Sequence, residues 1–374
     1  MNKISITLIV TASLIFLMGL LMVFNTTSAE VLEGSMKDEI HLALIKQFFF
    51  GLLAVFFSII VWRIGYRNLI KYSPFLLTIC IIMLLCVFIP KIGHVVNGAR
   101  RWISIFGISM QPSELAKFIL PMFFINFVIK KNVQIDFKSL LKILLVIAIP
   151  LFLIFLEPDN GSCALIAATF CVLLFITKIK PLYWALPLIL MVCVGAAFAS
   201  KMSYVQDRIS VYLHPEKDLF GKGHQPYQAK IAAGSGYIFG KGLGKSLQKH
   251  NYLPEARSDY IAAIFAEEFG FIGIFFLILL YMVLAFLGFV IALLAKDKEG
   301  FYVACVITFL ISFQAFLNLG VVSGLLPSKG IALPFFSQGG SSLVVNMIAL
   351  SILLNISYKS SEKCKENQKM KISY

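Results

Sequence analysis

Residues 253–273 read Leu253-Pro-Glu-Ala-Arg-Ser-Asp259-Tyr-Ile-Ala-Ala-Ile-Phe-Ala-Glu267-Glu268-Phe-Gly-Phe-Ile-Gly273, and an apolar run follows to about residue 295. A run of about 20 apolar residues is long enough to cross a hydrocarbon core about 30 Å thick as a helix. A carboxylate at the mouth of such a run is costly, so Asp259 marks a candidate functional site.

Similar runs recur along the chain. The sequence is 59% hydrophobic, against about 45–50% for a soluble domain, and its mean hydropathy is +0.88. Only helices satisfy the backbone in runs of this kind, and no period-2 alternation points to a barrel. The reading is an all-α integral membrane protein with about ten transmembrane helices. These fall at 4–26, 43–62, 74–90, 114–130, 140–156, 161–177, 181–199, 269–295, 300–320 and 340–357. The whole chain, 1–374, forms a single polytopic membrane domain. Thr27-Ser-Ala29 resembles a signal cleavage site, but the apolar stretch before it is longer than a signal h-region, so the first helix is read as retained.

A net charge of +14 would fit nucleic acid if the basic residues clustered. Instead they sort by topology. With Met1 inside, the inner connections and termini hold 17 Lys and Arg, whereas the short outer loops hold Lys37, Lys91, Arg100, Arg101 and Lys329. This bias puts both termini in the cytoplasm and leaves a large extracytoplasmic loop, about 200–268, between helices seven and eight. The basic tail 358–374 lies beside anionic lipid. No nucleic-acid partner is expected. The seven cysteines form no CxxC, and the five histidines form no HExxH, so neither a disulfide framework nor a zinc site is expected.

The polar residues gather at the outer ends of the runs, unlike a transporter, which places charge near the midplane. Arg100, Arg101 and Lys117 form one cationic set, near Gln111 and Glu114. Paired guanidinium forks suit phosphate, although a helix start at Pro112 and an interfacial Trp102 explain the same residues. Asp159 or Asn160 reads as a helix cap. Gly240-Lys-Gly242-Leu-Gly244-Lys245-Ser246 mimics a nucleotide loop, but Phe239 stands where its first glycine belongs. A sharp or re-entrant turn is the better use of those glycines. Gly339-Gly340-Ser341-Ser342, opening the last run, offers backbone N–H groups to an anion, with Lys329 close in sequence and Ser337 just before. The serines are equally good caps.

Asp259 and Glu267, if on one helix, sit about 12 Å apart, outside the 5–9.5 Å of a glycosidase pair. Glu268 falls on the opposite face. A lone base suits a different reaction, glycosyl transfer from a polyprenyl-pyrophosphate sugar, whose leaving group needs cations rather than an acid. On residues alone, a cap or an ion pair with Arg257 or a lysine accounts for Asp259 as well.

Four blocks together resemble the SEDS family (shape, elongation, division and sporulation). They are Gly98-Ala-Arg-Arg-Trp102 with Gln111-Pro-Ser-Glu114, Glu157-Pro-Asp159-x-Gly161, Leu253-Pro-Glu-Ala-x-Ser-Asp259-Tyr-Ile with Ala266-Glu-Glu-Phe-Gly270, and Leu333-Pro-Phe-x-Ser337-x-Gly-Gly-Ser-Ser342. Gly242-Leu-Gly-Lys-Ser-Leu-Gln248 and Pro327-x-Lys329-Gly330 resemble the division-type members more than the elongation-type ones. Arg257-Ser258 and Gln338 depart from the usual pattern.

The resemblance implies a peptidoglycan glycosyltransferase that polymerises lipid II at the outer face of the cytoplasmic membrane, at the septum, releasing undecaprenyl pyrophosphate. It implies Asp259 as the essential catalytic base. Arg100, Arg101, Gln111, Glu114, Lys117, Lys329, Ser337, Gly339, Gly340, Ser341 and Ser342 are candidates for holding pyrophosphate or lipid II. Asp159, Glu255, Glu267 and Glu268 take structural or partner-facing roles. The implied partners are a class B penicillin-binding protein transpeptidase, other divisome membrane proteins and the lipid bilayer. No cofactor is required, although a divalent cation such as magnesium could bridge pyrophosphate to Glu114, Asp159 or Asp259. A lipid II flippase, a division scaffold and an elongation-type polymerase are the alternatives.

Overall fold

A computed structural model describes residues 3–32, 40–90, 92–96, 99–105, 108–131, 135–187, 189, 201, 210, 212–213, 223–249, 253 and 256–372. The described helices are α1 (Lys3–Leu32), α2 (Ile40–Ile64), α3 (Tyr66–Val87), α4 (Pro112–Lys130), α5 (Phe137–Leu156), α6 (Asn160–Ile176), α7 (His224–Ser235), α8 (Ile261–Leu294), α9 (Lys298–Val322) and α10 (Gly340–Ile372). Eight are long and apolar enough to cross a membrane, and α6 is a shorter apolar helix. Of the expected seventh span, 181–187 is helical and nearly all of the rest lies outside the described residues.

Two helix starts lie eight residues before expectation, and the first and last helices run on past their expected ends, to Leu32 and Ile372. The third helix starts at Tyr66, not near residue 74, and carries Pro74 inside it. Pro74 lacks the N–H that would bond Ile70 O; the Ser73 hydroxyl donates to that carbonyl instead, at 2.7 Å. The eighth helix starts at Ile261, not near 269, and bends at Gly270, whose φ of 67° is left-handed.

The fold also contains a small sheet outside the spans, which the all-α expectation did not include. β1 (Gly93–Val96), β2 (Ala99–Ile105) and β3 (Ile108–Met110) pair antiparallel in that order. Arg100 faces Val95, Trp102 faces His94 and Ile103 faces Met110 across the ladders.

The centre of the bundle is built by α4, α9 and α10, which are mostly buried, whereas α2 and α5 are exposed along most of their length. Phe56, Phe57, Phe152 and Phe155 are among the exposed apolar side chains on those outer helices. That is the pattern of a lipid-facing belt around a packed core. At the end away from the sheet, the α2–α3 turn is latched to α10 and α9. Asn355 donates to Trp62 O and accepts from Tyr66 N–H, and Tyr66 and Arg67 both donate to Asp297. Asp297 also caps α9 by accepting from Gly300 N–H. Its own burial opposes ionisation, but these donors hold its carboxyl below the usual range.

Candidate active site

The sheet end holds a cavity of about 170 Å³. Its walls include Arg101, Gln111, Glu114, Lys117, Gly161, Asp259, Gly339 and Ser342, so the four sequence blocks converge on one space. Trp102, Ser162, Ser258, Gly330 and Gln338 complete much of the wall.

Asp259 sits in the turn before α8, not on the helix. Three contacts fix that turn. Asn318 Nδ2 of α9 donates to Asp259 O at 2.8 Å and to Ile331 O at 2.7 Å. Ser337 Oγ donates to Ser258 O at 2.6 Å while accepting from Leu333 N–H. Gln338 N–H donates to Arg257 O. One turn before Asn318, Gln314 donates to Ala332 O. Two amides on one face of α9 therefore pin both the acidic turn and the 330–332 segment. Behind the carboxylate, burial and then the charge of Asp259 push the Tyr260 hydroxyl up.

α4 supplies the buried charges. Lys117 Nζ donates to Glu114 Oε1 at 2.7 Å and to Gln314 Oε1 at 3.0 Å. Glu114 Oε2 is buried and accepts no hydrogen bond. The pair is one turn apart on a helix whose first position is Pro112, so Glu114 lies in the first turn as the dipole favours.

The arginines separate. Neighbouring residues on a strand point to opposite faces, so Arg101 lines the cavity and Arg100 does not. A joint fork on one phosphate is not what this arrangement provides. Arg101 also donates through Nε to Glu157 O and through a terminal nitrogen to Pro158 O, which fixes its guanidinium. Asp159 is the α6 cap: it accepts from Ser162 N–H, Gln111 Nε2 and Ser113 Oγ. Three donors on two oxygens leave it poorly placed to hold a metal. Glu157, two residues before, is buried with neither carboxylate oxygen hydrogen-bonded. Burial first, and then Asp159, push it up to about 8 against the opposing charge of Arg101.

Ser337 is occupied with backbone and does not line the cavity, and neither does Lys329, which precedes Gly330. α10 begins at Gly340, so Ser341 and Ser342 lie inside its first turn rather than at its cap. Gly340 is held close by Phe50, whose ring a Cβ there would overlap. Glu255 lies outside the described residues.

Glu267 and Glu268 are fully buried and do not line the cavity. They bind the glycine-rich segment 236–249, called the strap below. Glu267 accepts from Lys241 Nζ, Ser246 Oγ, Leu247 N–H and Gln248 N–H. Glu268 accepts from Ser246 N–H, Lys249 Nζ and Asn25 Nδ2 of α1. The N–H groups that would cradle phosphate in a nucleotide loop are thus filled by the protein's own carboxylates. The backbone matches as well. The bend at Gly270 frees Glu267 O and Glu268 O, which accept from Lys241 and Gly242 N–H; Phe271 and Ile272 N–H donate instead to Tyr237 O and Ile238 O.

Sequence reading missed Gln314 and Asn318. Their signal was present: two amides four residues apart inside an otherwise apolar run.

The cell cycle protein family FtsW/RodA/SpoVE matches residues 5–362, and the chain belongs to it. A probable peptidoglycan glycosyltransferase FtsW of Geobacter metallireducens is 37% identical over 341 residues, which cover 91% of this chain and 90% of that protein. Stage V sporulation protein E of Bacillus subtilis is 36% identical over 354 residues, 94% of this chain and 96% of the relative. Among solved structures, a chain from a study of how a peptidoglycan synthase complex coordinates polymerization and crosslinking aligns with TM-score 0.75. It is 23% identical and covers 94% of this chain and 97% of its own. The rod shape determining protein RodA of Thermus thermophilus aligns with TM-score 0.68 at 22% identity, over 94% and 96% of the two chains. These two alignments establish a shared fold. The chain is a multi-pass membrane protein of this family.

Proposed function

We propose that the chain is a peptidoglycan glycosyltransferase that polymerises lipid II at the outer face of the cytoplasmic membrane. The observation that carries this reading is the shared cavity. Asp259 lines it together with Lys117, Arg101, Glu114 and, at the amino end of α10, Gly339 and Ser342. Relatives at 37% and 36% identity, the first named as a glycosyltransferase, support it.

Asp259 takes the proton from the acceptor sugar's 4-hydroxyl. The freed oxygen attacks the donor's anomeric carbon from the face opposite the pyrophosphate, and the carbon–oxygen bond to phosphate breaks with inversion. The pyrophosphate leaves with the electron pair, so it needs positive charge and no general acid. Lys117, Arg101 and the N–H groups opening α10 supply that charge. The lysine and arginine excess of the opposite end supports reading this end as the outer one and both termini as cytoplasmic. A divalent cation arriving with pyrophosphate would find Glu114 and Asp259 in the same cavity, Glu114 Oε2 being open.

The partner in this reading is a class B penicillin-binding protein whose transpeptidase crosslinks the new strand, and the site of action is the septum. The likeness to a peptidoglycan synthase complex supports the first, and the FtsW names of the relatives support the second.

The test is lipid II polymerisation by the purified chain with its transpeptidase. Asp259→Asn should abolish glycan formation while leaving the complex intact. Near-normal polymer from that variant would remove Asp259 as base. Lipid II translocation without polymer in the wild type would replace the reading with a flippase.

A further inference from the structure

The strap has a side that its staples do not use. Glu267 and Glu268 hold its inner face, but Tyr237 is 84% exposed and Phe239 80% exposed, with Ile238, Leu243 and Leu247 also mostly exposed. A loop that spends five large apolar side chains on its outer face is not built for water. Lys245, between the two leucines, is exposed as well.

Its height can be read from the hydrogen bonds. The strap pairs with Phe271 and Ile272. From Phe271 to Leu294 the helix rises about 35 Å, slightly more than a hydrocarbon core of about 30 Å. With Leu294 and the following Lys296 and Lys298 at the inner boundary, the strap stands at the outer one. Aromatic side chains concentrate at that level, and lysine there meets lipid phosphate. The surface is also continuous: Phe271, Ile272 and Phe275, next to the strap on α8, are exposed and belong to the lipid-facing belt.

We propose that the Tyr237–Phe239 tip is a membrane-interface anchor, seated in the headgroup–acyl boundary of the surrounding bilayer. The strap completes the backbone of α8 at Gly270 and is bound through the carboxylates of Glu267 and Glu268, and Asp259 lies just ahead of the same helix. Seating the tip therefore sets the height of Asp259 relative to the bilayer. That last consequence rests on the activity proposed above, because the donor hangs from the same membrane by its polyprenyl chain; the anchor itself does not.

The test places the chain in nanodiscs and adds one reporter, Phe239→Trp, to the three natural tryptophans. Lipids brominated near the top of the acyl chain should quench the added emission, and aqueous iodide should not. Tyr237→Trp repeats the measurement two residues earlier should the first variant fold poorly. Indifference to brominated lipid overturns the anchor: with iodide quenching the tip is in water, and without it the tip is packed against protein. In the lipid II assay, Tyr237→Ser with Phe239→Ser should raise KM several-fold at unchanged kcat, the staples being intact. An unchanged KM overturns the height-setting role. Quenching does not depend on catalysis, so the anchor and the proposed activity fail separately.

Discussion

Asp259 occupies the space where a side chain on Gly330 would stand: a Cβ added at Gly330 would lie 2.8 Å from Asp259 Oδ2. Gly330→Ala should therefore move the carboxylate and little else, because what it meets is the end of a side chain and not backbone. A displacement of about 1 Å at a reacting group costs on the order of 100-fold in rate. Polymerisation should fall by that order while the melting temperature holds. Wild-type activity in Gly330→Ala would show that the position of Asp259 is not set by this contact.

Lys117 and Glu114 make a buried pair, and removing one partner leaves the other charge stranded. Lys117→Met should cost about 3–5 kcal/mol of stability, read as a lowered melting temperature in detergent. Lys117→Met with Glu114→Gln should recover much of that loss without restoring polymerisation. Recovery of activity in the double variant would show that Lys117 serves only to neutralise Glu114.

The strap predicts a local effect. Glu267→Ala leaves Ser246 Oγ, Leu247 N–H and Gln248 N–H without the acceptor they use. Each group left unsatisfied costs about 1–3 kcal/mol, and the strap is the part that releases. Limited trypsin digestion should then cut at Lys241 and Lys245 well before the rest of the bundle unfolds. If strap cleavage and global unfolding stay together, the strap is not an independently opening unit.

The membrane class was legible because each helix carries its own signal, an apolar run needing no partner to be recognised. The acidic turn, the cation at Lys117 and the start of α10 were legible for a similar reason: each is a local pattern of polar residues beside such a run. What could not be read depends on residues far apart in the chain. Ile261–Ala266 is apolar, but Glu267 and Glu268 interrupt it, so the uninterrupted apolar run begins only after them. Their charges are met by Lys241, Lys249 and Asn25, which no local pattern connects. The sheet was hidden likewise, since Ala99-Arg-Arg-Trp102 is a strand only once β1 lies beside it. Arg100 and Arg101 looked like a pair in one dimension and part on the two faces of that strand.

Glu157 supplies a prediction in pH. An ordinary glutamate titrates near pH 4.3, whereas burial and Asp159 raise Glu157 to about 8 in the folded chain. Between those values the folded protein keeps a proton that the unfolded chain has released. The folded state thus binds more protons, and stability falls as pH rises. The contribution is fully present below about pH 4.3, is lost through about pH 8 and is flat beyond. Its size is on the order of a few kcal/mol. Melting temperatures measured from about pH 5 to about pH 9 should decline in the wild type, and Glu157→Gln should flatten that decline because an amide has no proton to lose. The same slope in both proteins would mean that Glu157 is already ionised in the fold. Arg101, whose guanidinium is fixed on the carbonyls of Glu157 and Pro158, would then be the group neutralising it.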